Sequence, residues 1–199
     1  MKIHNLEQGT DEWFELRKWK MTASNAQAIW NCWKGLDTYI LDLMAEYYSS
    51  AQKEHFSNIH TERGNELEPL ARSMYELTRW VEVQEAWFVE YDEFVWCSPD
   101  WLVWKDGWIE IKSLSDKKHF SMILNWEKEI DSAYIWQIQM NLLITGRKWW
   151  DYISYNPNYK ESLLVYRIFP DVEKFEKLRK WFDYWKDKIL EIKNKVWKI

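Results

Sequence analysis

Leu67, Leu70, Ala71, Met74, Tyr75 and Thr78 recur at the i, i+3, i+4, i+7 spacing of one helical face. The stretch TERGNELEPLARSMYELTRW is therefore expected to be an amphipathic helix, with Pro69 either in its first turn or kinking it. Leu41, Met44, Ala45 and Tyr48 predict another helix from about Thr38 to Ala51. Upstream, GTDEWFELRKWKMTASNAQAIW reads as helix, break, helix. Thr10 or Asp11 caps the first and Thr22 or Ser24 the second. The pattern then changes period. Val81 to Val83 and Trp87 to Tyr91 are rich in β-formers, and WCSPDWLVWKDGWIEIKS reads as a hairpin with its turn at Asp106-Gly107. Leu114 to Ile130 is expected to be a long loop or broken helix. A helix follows from about Asp131 to Thr145 and ends at Gly146, with Tyr134, Gln137 and Asn141 as a polar stripe in an apolar segment. WWDYISYNP and SLLVYRIFP read as strands, and Val172 to Lys193 as a closing helix.

Helices and strands interleave without a repeat, a low-complexity tract or a Gly/Ser linker, so a single α/β domain over residues 1–199 is expected. The 199 residues, 47% hydrophobic and 18% aromatic, are enough for one core and argue against disorder. No apolar run is long enough for a membrane span, and MKIHNLEQGTDEW lacks the apolar stretch of a signal peptide. Two cysteines, Cys32 and Cys97, exclude a disulfide framework and a cysteine-held zinc or iron–sulfur site within one chain. A cytoplasmic setting is the expectation. The net charge of −5 is uneven: Val172 to Ile199 carries nine Lys/Arg and five Asp/Glu, and the preceding residues carry the acidic excess. A basic C-terminal face can touch phosphate, or be a solvated helix laced with i,i+4 pairs. The 17 Trp read as packing residues, with base stacking by one or two as the alternative.

Candidate chemistry lies in SPDWLVWKDGWIEIK, Ser98 to Lys112, an apolar stretch that nevertheless carries Asp100, Glu110 and Lys112. Buried charge is costly unless paired or bound to metal. Glu110 and Lys112 are two apart, so on a strand both project from one face while Ile109 and Ile111 face a core. With Asp100 ending the other strand, three charged groups can converge at one end of a small sheet. Two carboxylates without His or Cys suit a hard cation, Mg²⁺ or Mn²⁺, with the Ile111 carbonyl as a further oxygen. Lys112 can hold or deprotonate a water, or stabilise a phosphorane charge. The set fits metal-assisted phosphodiester hydrolysis. A solvent-facing strand edge is the alternative, because an acid followed by E-x-K arises readily by chance in a chain with 30% charged residues.

Four blocks, in order, resemble the lambda exonuclease and YqaJ-type viral recombinase family of the PD-(D/E)xK superfamily. QGTDEWFELRKWKMTAS resembles its N-terminal motif, and RGNELEPLAR its G-x-x-x-E-P-x-A-R helix. SPDWLV and GWIEIKS resemble its S-P-D-G and G-x-E-x-K core, and SAYIWQIQMNLLITGRKWWDYISYNP its Tyr-x-x-Gln-x-Gln helix and following strand. The blocks cover roughly residues 8 to 157, leaving a C-terminal strand and basic helix at 162–199. Trp101 stands where the family usually has glycine after S-P-D, and Ser113 where it often has cysteine.

The resemblance implies a restriction-endonuclease-like fold, a central mixed β-sheet flanked by helices. It implies metal binding by Asp100, Glu110 and the Ile111 carbonyl, with Glu68 completing the acidic cluster directly or through water. Lys112 would be the catalytic lysine, and Gln137 would orient the site near the attacking water. Arg17, Ser24 and Ser98 would hold a terminal 5′-phosphate, a role that an arginine fork and two hydroxyls near a helix start suit chemically. The implied activity is a Mg²⁺-dependent 5′→3′ exonuclease on double-stranded DNA ends, using two ions, with Mn²⁺ as substitute. Phage recombination with a single-strand annealing protein, a homotrimeric ring and no membrane association complete the expectation. The alternatives are a PD-(D/E)xK endonuclease or repair nuclease, and a DNA-end binding protein without activity.

Overall fold

The computed structural model describes residues 2–4, 10–26, 33–49, 59–85, 88–99 and 101–196. Asp100, Cys32, Trp87, Ala51 and most of the helix expected after Ser24 lie outside the described residues. The elements are β1 (Lys2–His4), α1 (Asp11–Arg17), β2 (Met21–Thr22), a 3-10 turn (Ala23–Asn25), α2 (Trp33–Tyr48), α3 (Ile59–Arg79), β3 (Val83–Glu85), β4 (Phe88–Glu90), β5 (Val95–Cys97), β6 (Trp101–Val103) and β7 (Gly107–Lys112). After these come α4 (Asp116–Asn125), a second 3-10 turn (Trp126–Glu129), α5 (Ser132–Thr145), β8 (Trp149–Tyr155), β9 (Leu163–Ile168) and α6 (Val172–Val196).

The strands form two sheets. One runs β1-β4-β5-β2 and the other β3-β6-β7-β8-β9. The five-stranded sheet is mixed: β7 and β8 are parallel and the remaining neighbours antiparallel. In the smaller sheet β2 lies parallel to β5. β7 alternates as its period requires. Ile109 and Ile111 join Ala71 and Tyr75 of α3 in one core cluster. Trp108 joins Ile138 and Leu142 of α5 in another. Glu110 and Lys112 therefore project on the α5 side. That helix has two apolar faces, because Trp136, Met140, Leu143 and Ile144 pack into a third cluster with Met21, Val95 and Leu178. It is wedged between the two sheets, which explains why its polar residues are so few.

Several local expectations change. The hairpin turn is Trp104 to Asp106, and Gly107 is already the first residue of β7, paired with Val103. Glycine is required there by packing, because a Cβ at Gly107 would meet the Trp149 ring at 2.2 Å. Of the two readings of the stretch after Leu114, the broken helix holds: α4 runs into the second 3-10 turn, and its His119 is fully buried and bridges Ser154 Oγ and the Glu161 carbonyl, each at 2.8 Å. Those long-range bonds are invisible to local periodicity. Pro69 lies in the interior of α3, not its first turn. The first strand after α3 is Val83–Glu85, and Thr22 makes no side-chain cap bond to the 3-10 turn. By contrast, Thr10 caps α1 through the Trp13 amide, Asp131 caps α5 through the Ala133 amide, and Gly146 ends α5 with φ 64°.

Candidate nuclease site

The site is built on β7 because a parallel neighbour on one side and a wedged helix above leave Glu110 almost no solvent. Glu110 is 3% exposed. Its Oε1 accepts from the Lys112 ammonium at 2.6 Å and from the Gln137 amide at 3.3 Å. The sequence placed Lys112 beside Glu110 by strand period; Gln137 arrives from α5, 27 positions on. Lys112 Nζ also lies 5.0 Å from the centroid of the Tyr134 ring. Tyr134 packs against Tyr152, ring centroids 5.7 Å apart. Tyr152 stands opposite Glu110 in the β7–β8 register. Burial first, then the neighbouring Tyr134 and the Glu110 charge, push the Tyr152 phenol far above its ordinary range. The two tyrosines thus form a neutral wall over a carboxylate–lysine pair. Tyr134 belongs to the motif that carries Gln137, but Tyr152 becomes visible only through sheet register.

Glu68 is on α3, on the other side of the sheet from Gln137. Its Oε1 accepts a hydrogen bond from the Trp101 indole at 2.6 Å, and the Arg72 guanidinium stacks 4.5 Å from the Trp101 ring centroid. Direct contacts thus bring Glu110, Lys112 and Gln137 together, whereas Glu68 sits with Trp101 and Arg72. No group of three His, Cys, Asp or Glu side chains arranged for a metal is found among the described residues, which do not include Asp100. The donors present are carboxylate oxygens and the Ile111 carbonyl, and the Lys112 ammonium already sits where positive charge is favoured on Glu110. This donor chemistry fits a hard divalent ion.

The second group gathers around Arg17. Its Nη2 donates to Ser24 Oγ at 3.3 Å and Thr22 Oγ1 at 3.5 Å, and its guanidinium lies 4.1 Å from the Trp13 ring centroid. Asn25 donates to Thr22 Oγ1 at 3.2 Å. Burial lowers the Arg17 pKa from its ordinary value, and among the described residues no carboxylate pairs with it. Tyr39 is pushed up to about 12, chiefly by burial and against the opposing influence of Thr22 and Arg17. Thr22 lies opposite Trp96 in the parallel β2–β5 register, so Ser98 follows β5 on the strand beside the turn that carries Ser24. Ser98 Oγ is buried without a hydrogen-bond partner among the described residues. A cation, the Thr22 and Ser24 hydroxyls and a buried serine hydroxyl beside them are suited to an anion. Thr22 was singled out by the sequence only as a helix cap, and Asn25 and Tyr39 not at all, although Asn25 directly follows the Ser24 motif.

The mixed sheet, its flanking helices and the E-x-K strand place the fold in the PD-(D/E)xK class. The chain belongs to the YqaJ-like viral recombinase domain family, whose model matches residues 12–148. An alkaline exonuclease from Laribacter hongkongensis superposes with a TM-score of 0.80 at 28% identity, covering 95% of this chain and 99% of that one. The same figures hold for its structure in complex with dAMP. A phage-related exonuclease from Haemophilus somnus shares the fold, with a TM-score of 0.63 at 17% identity over 89% of this chain and 98% of that one. No curated protein matches the chain significantly.

Proposed function

We propose that this protein is a Mg²⁺-dependent exonuclease that shortens one strand of double-stranded DNA from its 5′ end. The observation that carries the reading is the buried Glu110 held by Lys112 and Gln137 on β7, in a chain of the YqaJ-like family. Glu110, the Ile111 carbonyl and Asp100 would hold the metal, with Glu68 reaching it directly or through water; the family pattern suggests two ions, and Mn²⁺ would substitute for Mg²⁺. A bound divalent ion supplies Lewis acidity at the scissile phosphate and lowers the pKa of water. Gln137 fixes the Glu110 oxygen it donates to and has its own carbonyl for a water. Lys112 can carry a proton or stabilise charge at the phosphate, since its ammonium is partly exposed and tethered at Glu110. Lys112→Ala is therefore expected to lose cleavage by at least about two decades while Mn²⁺ still binds, as calorimetry would measure. Retained cleavage would assign Lys112 to packing alone.

The Arg17 group would hold the 5′-phosphate that each cut regenerates, setting the register for the next cut. Arg17→Ala should slow digestion of 5′-phosphorylated duplexes by roughly one to two decades, since a charge-assisted bond is worth about 1.5–3 kcal/mol. Duplexes with 5′-hydroxyl ends should lose much less. Equal loss on both would make Arg17 structural.

A homotrimeric ring around DNA and a single-strand annealing partner complete the reading, as does action in the cytoplasm of a host cell. None of the helices among the described residues is long and apolar enough to cross a membrane. Lys117 and Lys118 are exposed on α4 and are candidates for phosphate contact, with lysines of α6. Part of the α6 charge is already used: Lys188 and Lys195 pair with Glu191, and Lys174 with Asp171. The expected result is a trimer by light scattering whose DNA affinity falls steeply as salt rises. A monomer that digests long DNA without dissociating would remove the ring.

A further inference from the structure

Among the described residues, four other than glycine have positive φ, and all four are tryptophan: Trp19 at 55°, Trp80 at 54°, Trp104 at 50° and Trp126 at 58°. Bulky L-residues rarely adopt this region; Asn and Asp, the residues that tolerate it best, hold none of these positions. Each is a place where a chain normally uses glycine. Trp80 follows α3, and the Val81 amide reaches back to the Glu76 carbonyl at 3.2 Å, the long bond of a Schellman cap. Trp126 follows α4 with ψ −146°, a combination found essentially only for glycine. Trp19 follows the C-cap of α1, and Trp104 opens the β6–β7 turn. Gly146 does the same work after α5. Three of the rings gain little from packing in return, since Trp80, Trp104 and Trp126 are 91%, 66% and 59% exposed.

The chain has 17 Trp and 5 Gly, against roughly 7% Gly in ordinary proteins. Trp101 stands where the related motif has glycine. We propose that positions 19, 80, 101, 104 and 126 are glycine in the protein made by its natural gene. One codon links the two residues: UGA is read as stop, tryptophan or glycine in different genetic codes. The buried Trp150 and Trp185, which fill core space, are true tryptophans. At position 101 the exchange has a consequence for the site, resting on the function proposed above. Glycine there lifts the indole from Glu68, leaving its carboxylate free for a metal.

The gene's nucleotide sequence is the first test. UGA at codons 19, 80, 101, 104 and 126, with UGG at 150 and 185, is expected; UGG at the five would overturn the proposal. The protein gives a second reading. Trp80→Gly, Trp104→Gly and Trp126→Gly combined should raise the melting temperature by about 10 °C, because each relieves backbone strain at an exposed position. A lower melting temperature would contradict glycine as the native residue. Trp101→Gly should tighten Mn²⁺ binding several-fold by calorimetry; unchanged binding would remove position 101 from the set.

A separate observation concerns α3. Trp101, Ile109, Asp151 and Arg167 stand in one row across β6, β7, β8 and β9. Tyr75 donates to Asp151 Oδ2 at 2.8 Å, two helical turns after Glu68, which meets Trp101. Seven residues of helix span about 10.5 Å, and two strand spacings about 9.6 Å, so α3 lies along that row. We infer that Tyr75 is a positioning residue that sets the height and rotation of α3, and hence of Glu68, against β7. This rests on the metal role proposed for Glu68. Tyr75→Phe keeps the ring and should weaken Mn²⁺ binding several-fold. A lower melting temperature with unchanged Mn²⁺ affinity would overturn the inference. Glu68→Gln separates the two ideas: if it also leaves Mn²⁺ affinity unchanged, the metal role of Glu68 fails first.

Discussion

Glu110→Gln should reduce nucleotide release by at least about three decades, the loss expected when a ligand that fixes a catalytic ion is removed. Glutamine keeps the volume of a side chain that is 3% exposed, and its carbonyl can still accept from Lys112 and Gln137. The fold should therefore survive. What disappears is the negative charge that holds both the Lys112 ammonium and the ion. Rates on a linear duplex in Mg²⁺, with a melting curve for each protein, are the measurement. A variant within tenfold of the parent would remove Glu110 from the chemistry.

The second large effect is on stability. Asp151 is fully buried and receives two bonds from Arg167, at 2.7 and 2.8 Å, and one from Tyr75. Hydrogen bonding to Asp151 is the leading cause that raises the Arg167 pKa. Arg167→Met leaves a buried carboxylate without its cation, a change that costs about 3–5 kcal/mol when a buried pair is broken. Arg167 is itself 41% exposed in its side chain, so water screens the pair and the lower figure applies. A fall in melting temperature of about 10 °C is expected. An unchanged melting temperature would mean that the Arg167–Asp151 pair contributes nothing to the fold.

Periods and caps carried much of this fold in the sequence. The alternation of Ile109, Glu110, Ile111 and Lys112 foretold which side chains leave the core together, and Thr10, Asp131 and Gly146 bound their helices as their chemistry predicts. What local pattern cannot contain is register. The pairing of Glu110 with Tyr152, and of Asp151 with Arg167, depends on which strands become neighbours. The second sheet was missed for the same reason, since β1 and β2 are three- and two-residue strands whose partners lie far along the chain. The broken helix after Leu114 was legible only as one of two readings, because its anchor, His119, is satisfied by groups more than thirty positions away. In the site, Glu110, Lys112 and Gln137 meet as the motifs implied, while Glu68 is engaged by Trp101, the one residue that departs from the S-P-D-G pattern.

The central claim is that DNA ends are digested by metal-assisted hydrolysis at Glu110 and Lys112. The most direct measurement uses one linear duplex labelled at the 5′ end of one strand and the 3′ end of the other, beside a covalently closed circle of the same DNA. The account predicts Mg²⁺-dependent release of the 5′ label first, an intact circle, and no release in EDTA or by Glu110→Gln. Nicking of the circle, release of the 3′ label first, or digestion that continues in EDTA would contradict it.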